Sequence, residues 1–140
     1  MKRKKNCGPG TKMNSDNSTH NRRKLREAEH ARKNAGHGDF FFAKWSTSDG
    51  FVRESPCFVI SDHEDPHDEI IVLKCTSHPK RTEYDIEIGC LRRDSIIRVN
   101  KIYTIQRSQL LFPLRANLAQ NEYQQVKEKL KEAMCLNSPE

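Results

Sequence analysis

Three apolar runs decide the fold of this chain: CFVI at residues 57–60, IIVL at residues 70–73 and SIIRVNKIYTI at residues 95–105. Each run is rich in β-branched residues, and turn-forming residues separate one run from the next, which is typical of strands. We expect all three to belong to one sheet. A rigid sheet would hold the polar groups at its strand ends in a fixed geometry, which suits a functional site.

Further strands and one helix are predicted around these runs. Tyr123, Val126 and Leu130 recur at helical spacing near the C-terminus, so a helix is expected to close the chain. This order predicts a mainly β fold with some α structure (α+β), a small antiparallel SH3-like barrel or curved sheet with a C-terminal helix. The predicted strands are residues 39–45, 58–62, 69–76, 84–88, 94–105 (with a bend near Asn100) and a short edge strand at 109–113, and the helix is residues 120–136.

The positive charge of the chain is concentrated at its N-terminus. Residues 1–38 contain 11 Lys/Arg and 3 Asp/Glu, whereas residues 39–140 contain 14 and 16. We therefore divide the chain into a basic extension at residues 1–37, disordered at 1–21 and with a helix at 22–34 that is marginal in isolation, and a folded domain at residues 38–137. A basic arm favours polyanions such as nucleic acid, although a solvated tail without a partner is the plainer interpretation.

Several functional classes find no support in the sequence. The five cysteines have no metal-binding spacing, and no apolar run is long enough to span a membrane, so we expect a cytoplasmic protein without a membrane anchor. Residues 63–67 match H-E-x-x-H, but Pro66 disfavours a helix there, and we interpret the segment as a solvated loop rather than a zinc site. No motif indicates a metal, a nucleotide or another cofactor.

Four segments in a fixed order resemble a known family. They are GD at residues 38–39, SPCFVI at 55–60, IVLKCTS at 71–77, and DSIIRVN with IYTI at 94–100 and 102–105. In this order and at this spacing they are similar to the MazF/PemK (Kid) family of toxin endoribonucleases from type II toxin–antitoxin systems. The resemblance covers about residues 36–136, including the helix near the C-terminus.

The resemblance implies a compact, mainly antiparallel barrel-like fold and a homodimer that cleaves single-stranded RNA without a metal. In that reaction the ribose 2′-hydroxyl attacks the adjacent phosphate and leaves a 2′,3′-cyclic phosphate and a 5′-hydroxyl. This chemistry needs a base, an acid and a cation, and the planar fork of arginine suits the last role. The family also implies an acidic, largely disordered antitoxin as partner.

The site residues follow from matching the family's motifs to this chain. Ser55 occupies the position of the family's most important arginine, so Arg53, two residues earlier, is expected to replace it. Asn100 occupies the position of an acidic residue and cannot act as a carboxylate base, which leaves a histidine or no true base. The predicted catalytic residues are Arg53, Thr76 and Arg98, and the predicted RNA-binding residues are Ser55, Ser77, Asn100 and Lys74.

Three functions remain open from the sequence. The first is an endoribonuclease toxin that inhibits translation and growth. The second is a catalytically degenerate relative that binds nucleic acid or a protein partner without cleaving, as the departures at Ser55 and Asn100 allow. The third is a toxin directed at a protein such as DNA gyrase, which the fold permits but no particular residue favours.

Overall fold

The computed structural model describes the side chains of residues 18–46, 49–62 and 69–136, and the backbone of the first helix from Arg3. The predicted solvated loop with the H-E-x-x-H match lies outside the described residues. The elements, in chain order, are α1 (Arg3–Lys33), β1 (Phe40–Ser46), β2 (Val52–Val59), β3 (Glu69–Thr76), β4 (Asp85–Ile88), β5 (Ser95–Gln106), a 3₁₀ turn (Arg107–Gln109), β6 (Leu110–Leu114) and α2 (Gln120–Ala133).

The six strands form one antiparallel sheet in the order β4-β5-β3-β2-β1-β6. β4 and β6 are the edge strands of the described sheet, so it is open rather than closed into a ring. The predicted fold class is confirmed: a mainly β α+β fold with an antiparallel sheet and a C-terminal helix. The three apolar runs of the sequence lie in β2, β3 and β5. These are three of the four interior strands of the described sheet.

The second strand begins at Val52, earlier in the chain than the strand predicted at residues 58–62. Residues 52–56 were expected to belong to a loop at residues 46–56, which contains the turn-forming dipeptide Asp49-Gly50. In the structure they pair with β1, and Pro56 lies opposite Phe42. The ladder between β2 and β3 ends at the pair Cys57–Lys74, so the missing N–H of Pro56 removes no hydrogen bond on that side. Arg53 and Ser55 are therefore strand residues, not loop residues.

The irregularity expected near Asn100 is present within a single long strand. Leu73 of β3 pairs with Ile102 of β5, but the next residue, Lys74, pairs with Arg98. The β5 residues between these partners have no counterpart on β3. A bulge of this kind redirects the strand and its side chains.

Two apolar clusters stabilise the sheet, one on each face. Consecutive residues of β1 belong to different clusters, since Phe41 lies in the first and Phe40 in the second. Helix α2 covers the second cluster with its buried Val126, which confirms that the apolar stripe of this helix packs on the sheet. The end of α1 packs on the first cluster through Ala31 and the fully buried Ala35.

The first helix extends further toward the N-terminus than the helix predicted at residues 22–34. Because no side chain of residues 1–17 is described, the disorder predicted for residues 1–21 stays a prediction. No helix of the described chain is long and apolar enough to cross a membrane.

Candidate functional site

A large cleft opens where β2 and β3 stop pairing. Beyond the Cys57–Lys74 pair, the start of β2 remains attached to β1 only, while β3 continues to Thr76 beside β5. A cleft of about 1110 Å³ occupies this region. The end of the β2–β3 ladder therefore both produces the cleft and exposes the strand termini that line it. The loop before β5 and the segment after β6 complete its walls.

The cleft is strongly basic. Among the described residues, its lining contains five cationic side chains and one carboxylate, that of Glu54. The cations come from parts of the chain that are distant in sequence: two from adjacent strands, two from the loop that precedes β5 and one from the segment that follows β6. They are Arg53, Lys74, Arg92, Arg93 and Arg115. Such an arrangement attracts a polyanion.

Lys74 experiences this positive charge directly. Partial burial lowers the pKa of its ammonium group, and the nearby positive charges of Arg53, Arg98 and Lys101 lower it further. Its Nζ lies 5.9 Å from the centre of the Trp45 ring, close enough for a cation–π contact. A phosphate in the cleft would relieve the mutual repulsion of these cations.

Arg53 and Ser55 lie two residues apart on β2 and so share one face of the strand, as expected. The Arg53 side chain is exposed and lines the cleft. Ser55 differs, because its Oγ is buried and has no hydrogen-bond partner among the described residues. Its backbone carbonyl accepts a hydrogen bond of 3.4 Å from the indole N–H of Trp45. Ser55 thus lines the cleft without presenting its hydroxyl group to it.

The end of β3 brings Thr76, Ser77 and His78 into the cleft. The backbone N–H of His78 donates a 3.2 Å hydrogen bond to Thr76 Oγ1, which fixes the turn after the strand. The Thr76 hydroxyl hydrogen has no acceptor among the described residues. It is therefore free to donate to a bound anion. His78 is exposed and is the only imidazole in the described lining.

Arg98 has a different environment. Its Nη1 lies 3.2 Å from Oδ2 of Asp85, whose side chain is fully buried. The same oxygen accepts hydrogen bonds from the backbone N–H groups of Arg81 and Thr82. Neither Arg98 nor the exposed Asn100 lines the cleft. The structure thus places Arg53, Ser55, Lys74, Thr76 and Ser77 in the cleft lining, whereas Arg98, the cross-strand neighbour of Lys74, is paired with Asp85 behind it and Asn100 lies outside the lining.

Sequence reasoning missed most of the cleft's cations and its aromatic wall. Arg92, Arg93 and Arg115 lie outside the strand motifs, and only the count of cations in the short segments beside β5 and β6 could have indicated them. The rings of Phe42 and Phe112 stack with their centres 5.2 Å apart and their planes 19° apart. The Phe112 side chain remains 46% exposed at the cleft, although nothing in the pattern of β6 distinguishes it from a core residue.

No metal-binding cluster is found in the described part of the chain, where no three His, Cys, Asp or Glu side chains lie close enough together to hold an ion. His78 and Glu54 are the cleft's remaining candidates for proton transfer.

Comparison with known protein families explains this arrangement. Residues 37–134 match the model of the PemK-like, MazF-like toxins of type II toxin–antitoxin systems. The chain belongs to this family. The MazF-like resemblance in its strand motifs is thereby confirmed, and the protein is a MazF-like toxin of a toxin–antitoxin system. A comparison with curated proteins gave no match.

Solved MazF structures share the fold. MazF from Deinococcus radiodurans is 15% identical, with a TM-score of 0.62, covering 72% of this chain and 96% of that one. An endoribonuclease in complex with its cognate antitoxin, from a mycobacterial species, is 12% identical, with a TM-score of 0.62 and coverages of 75% and 99%. The Mycobacterium tuberculosis toxin MazF-mt6 is 14% identical, with a TM-score of 0.59 and coverages of 71% and 99%. At these identities the likeness establishes the fold.

Proposed function

We propose that this MazF-like toxin is a metal-independent endoribonuclease that cleaves single-stranded RNA in the basic cleft and thereby stops translation and growth. The observation that carries the proposal is the convergence of five cations on one cleft that also contains the Thr76 hydroxyl. A phosphodiester chain is the ligand with the matching charge, and two mycobacterial endoribonucleases are among the structural neighbours.

The cleavage step would use the ribose 2′-hydroxyl as nucleophile. Its oxygen attacks the adjacent phosphorus, the bond to the 5′-oxygen breaks, and a 2′,3′-cyclic phosphate and a 5′-hydroxyl result. Arg53 would hold two oxygens of the pentacoordinate phosphorane through its planar fork. Thr76 would donate its hydroxyl hydrogen to the same phosphate, since that hydrogen has no acceptor among the described residues.

Proton transfer would fall to the cleft's two remaining candidates. A base must take the proton of the 2′-hydroxyl, and an acid must protonate the leaving 5′-oxygen. Glu54 and His78 are the carboxylate and the imidazole of the described lining. Alternation along β2 turns the Glu54 side chain to the face opposite Arg53, so we assign the base to His78, in place of the acidic residue that Asn100 replaces.

The substrate bases would find an aromatic surface at the opposite wall. The exposed ring of Phe112, supported from behind by Phe42, offers a face on which a base can stack. Stacking of this kind selects unpaired bases, because a duplex does not expose base faces.

A second candidate function is RNA binding without cleavage. Two observations favour it: the buried Ser55 hydroxyl stands where the family has its arginine, and Asn100 lies outside the cleft lining. In that case the cations and Phe112 would still hold RNA. The two candidates differ only in whether the bound strand is cut.

We further propose that the protein acts as a homodimer and that an acidic antitoxin segment neutralises it. MazE–MazF and endoribonuclease–antitoxin complexes are among the structural neighbours. An extended acidic peptide has the charge that complements this cleft, and it would compete with RNA for Arg53, Arg92 and Arg93.

The test is incubation of the purified protein with a long single-stranded RNA in EDTA, followed by mapping of the RNA ends. We expect discrete cuts with 5′-hydroxyl and 2′,3′-cyclic phosphate ends. These cuts should be lost in Thr76→Ala and Arg53→Gln. Exposed Lys131→Gln on α2 serves as the control and should cut normally. Intact RNA that nevertheless binds the folded protein would establish the second candidate instead, and cleavage that requires an added metal ion would refute the proposed chemistry.

A further inference from the structure

The end of α1 is fixed to the domain by buried and partly buried hydrogen bonds. Arg32 Nη1 donates to the backbone carbonyls of Leu110 (3.4 Å) and Leu111 (3.2 Å) on β6. In return, the buried Arg107 donates from Nη1 to the carbonyls of Arg32 and Ala35, each at 2.9 Å. Carbonyls at a helix C-terminus lack partners within the helix, so Arg107 caps this end. The fold therefore sets the direction in which the helix leaves the domain.

The described part of this helix has little apolar surface to bury. From residue 18 to residue 30 only Ala28 is partly buried, and Leu25 remains 63% exposed. A helix that is polar on all sides has no face to pack against its own domain, so its surface stays open to solvent and to a partner. No cation of the helix makes an ion pair among the described residues, and all but the anchoring Arg32 are exposed. The exposed cations are Arg22, Arg23, Lys24, Arg26 and Lys33.

The surface between this helix and the cleft is continuous. A groove of about 450 Å³ lies between Ala31 of α1, with Asn34 just beyond the helix, and the segment at residues 113–117. Three residues of that segment, at positions 114–116, line both this groove and the basic cleft. Among them is Arg115, so a cation stands at the junction. An RNA strand that leaves the cleft past residues 114–116 would therefore reach α1 next.

We infer that α1 is a second RNA-binding surface, which holds the phosphates of the single-stranded substrate on one side of the cleft. This inference rests on the proposed function of the cleft and extends it to a longer site. Described residues 18–33 of the helix span about 24 Å, which adds several nucleotides to the length of RNA that the protein contacts. Because these contacts are made to phosphates, they raise affinity without adding sequence preference.

The experiment compares two RNA lengths and two variants of the full-length protein. The probes are fluorescent 2′-O-methyl RNA oligonucleotides of about 6 and about 20 nucleotides, a range that spans typical single-stranded sites. They cannot be cleaved by 2′-hydroxyl attack, so binding is measured apart from catalysis. The test variant is Arg22→Gln/Arg23→Gln/Arg26→Gln on α1. The control, Lys127→Gln/Lys129→Gln/Lys131→Gln on α2, removes the same charge elsewhere.

We expect the wild-type protein to bind the long RNA more tightly than the short one, and the α1 variant to lose that advantage. Its salt dependence for the long RNA should fall by about 2 in log–log slope, and its affinity on the order of tenfold, while binding of the short RNA stays unchanged. The control variant should match wild type on both probes, and circular dichroism should show equal helix content in all three proteins.

Any of three results with the variants or with duplex DNA would overturn the inference. They are an α1 variant that binds long RNA as wild type does, a control variant that loses as much affinity as the α1 variant, and tighter binding of duplex DNA than of the long RNA. If wild type binds the short RNA but gains nothing from added length, only the role of α1 fails. If wild type binds neither RNA, the proposed function of the cleft fails with it.

Discussion

Removing the Arg98 guanidinium should destabilise the fold rather than only impair a reaction. The Asp85 carboxylate is fully buried, and Arg98, at 14% exposure, is its only cationic partner among the described residues. One carboxylate oxygen, Oδ1, already has no hydrogen-bond partner among them. Arg98→Met keeps an apolar side chain of similar length at this position and leaves the buried charge with two backbone donors alone.

The size of the effect follows from this geometry. Removing one partner of a buried ion pair costs about 3–5 kcal/mol, and the two backbone donors to Oδ2 place this case at the lower end, about 3 kcal/mol. Asp85→Asn should cost about 1–2 kcal/mol, because the amide oxygen still accepts from the backbone and Arg98 reaches solvent. The double variant should resemble Asp85→Asn alone, which gives a coupling energy of about 3 kcal/mol, the full cost of Arg98→Met.

Urea unfolding followed by tryptophan fluorescence measures these differences. Trp45 is the chain's single tryptophan and is 5% exposed, so its emission reports loss of the core. We expect the Arg98→Met midpoint to fall by about 1.5 M urea, and much of this loss to be recovered when Asp85→Asn is added. A variant with the wild-type midpoint and abolished RNA cleavage would refute the reasoning and return Arg98 to the catalytic residues.

Three further predictions concern the cleft and the core. Phe112→Ser should weaken single-stranded RNA binding about tenfold through loss of one stacked base, as measured by fluorescence anisotropy. Unchanged affinity would mean that Phe112 does not contact the RNA. Arg92→Gln/Arg93→Gln should lower the log–log salt slope of RNA binding by about 1.4, and an unaltered slope would mean that this loop does not touch phosphate. Burial raises the pKa of Cys57 from 9.0 to about 12 and that of Cys75 well above 9.0. Above pH 9 the unfolded thiols therefore lose protons that the folded ones keep, and stability should fall by about 1.4 kcal/mol per pH unit for each thiol. The fall of the unfolding free energy with pH should be smaller in Cys57→Ala/Cys75→Ala. Urea midpoints measured at several pH values test this, and the same pH dependence as in wild type would contradict it.

The core strands could be predicted from the sequence because they are rich in β-branched residues. The third strand was predicted at residues 69–76, and β3 spans Glu69–Thr76. The start of α2 at Gln120 was also predicted correctly. The start of β2 was not, because a proline within a strand is acceptable only where its neighbour has ceased to pair, and pairing depends on the register of distant segments.

The candidate site was only partly readable for the same reason. Residues on the strand motifs, such as Arg53 and Thr76, do meet in the cleft. The bulge in β5 leaves Asn100 outside the cleft lining, and the burial of Asp85 gives Arg98 a partner that no local pattern predicts. Arg115 reaches the cleft from a segment after β6, a proximity set by tertiary packing alone.

The most direct test of the central claim is induction of the chain in a bacterial host, with growth followed and new 5′-hydroxyl RNA ends sequenced across the transcriptome. We expect growth to stop, the new ends to share one short sequence, and Thr76→Ala at equal expression to produce neither effect. Growth arrest without new RNA ends, or the same ends from Thr76→Ala, would contradict the claim that this cleft cleaves RNA.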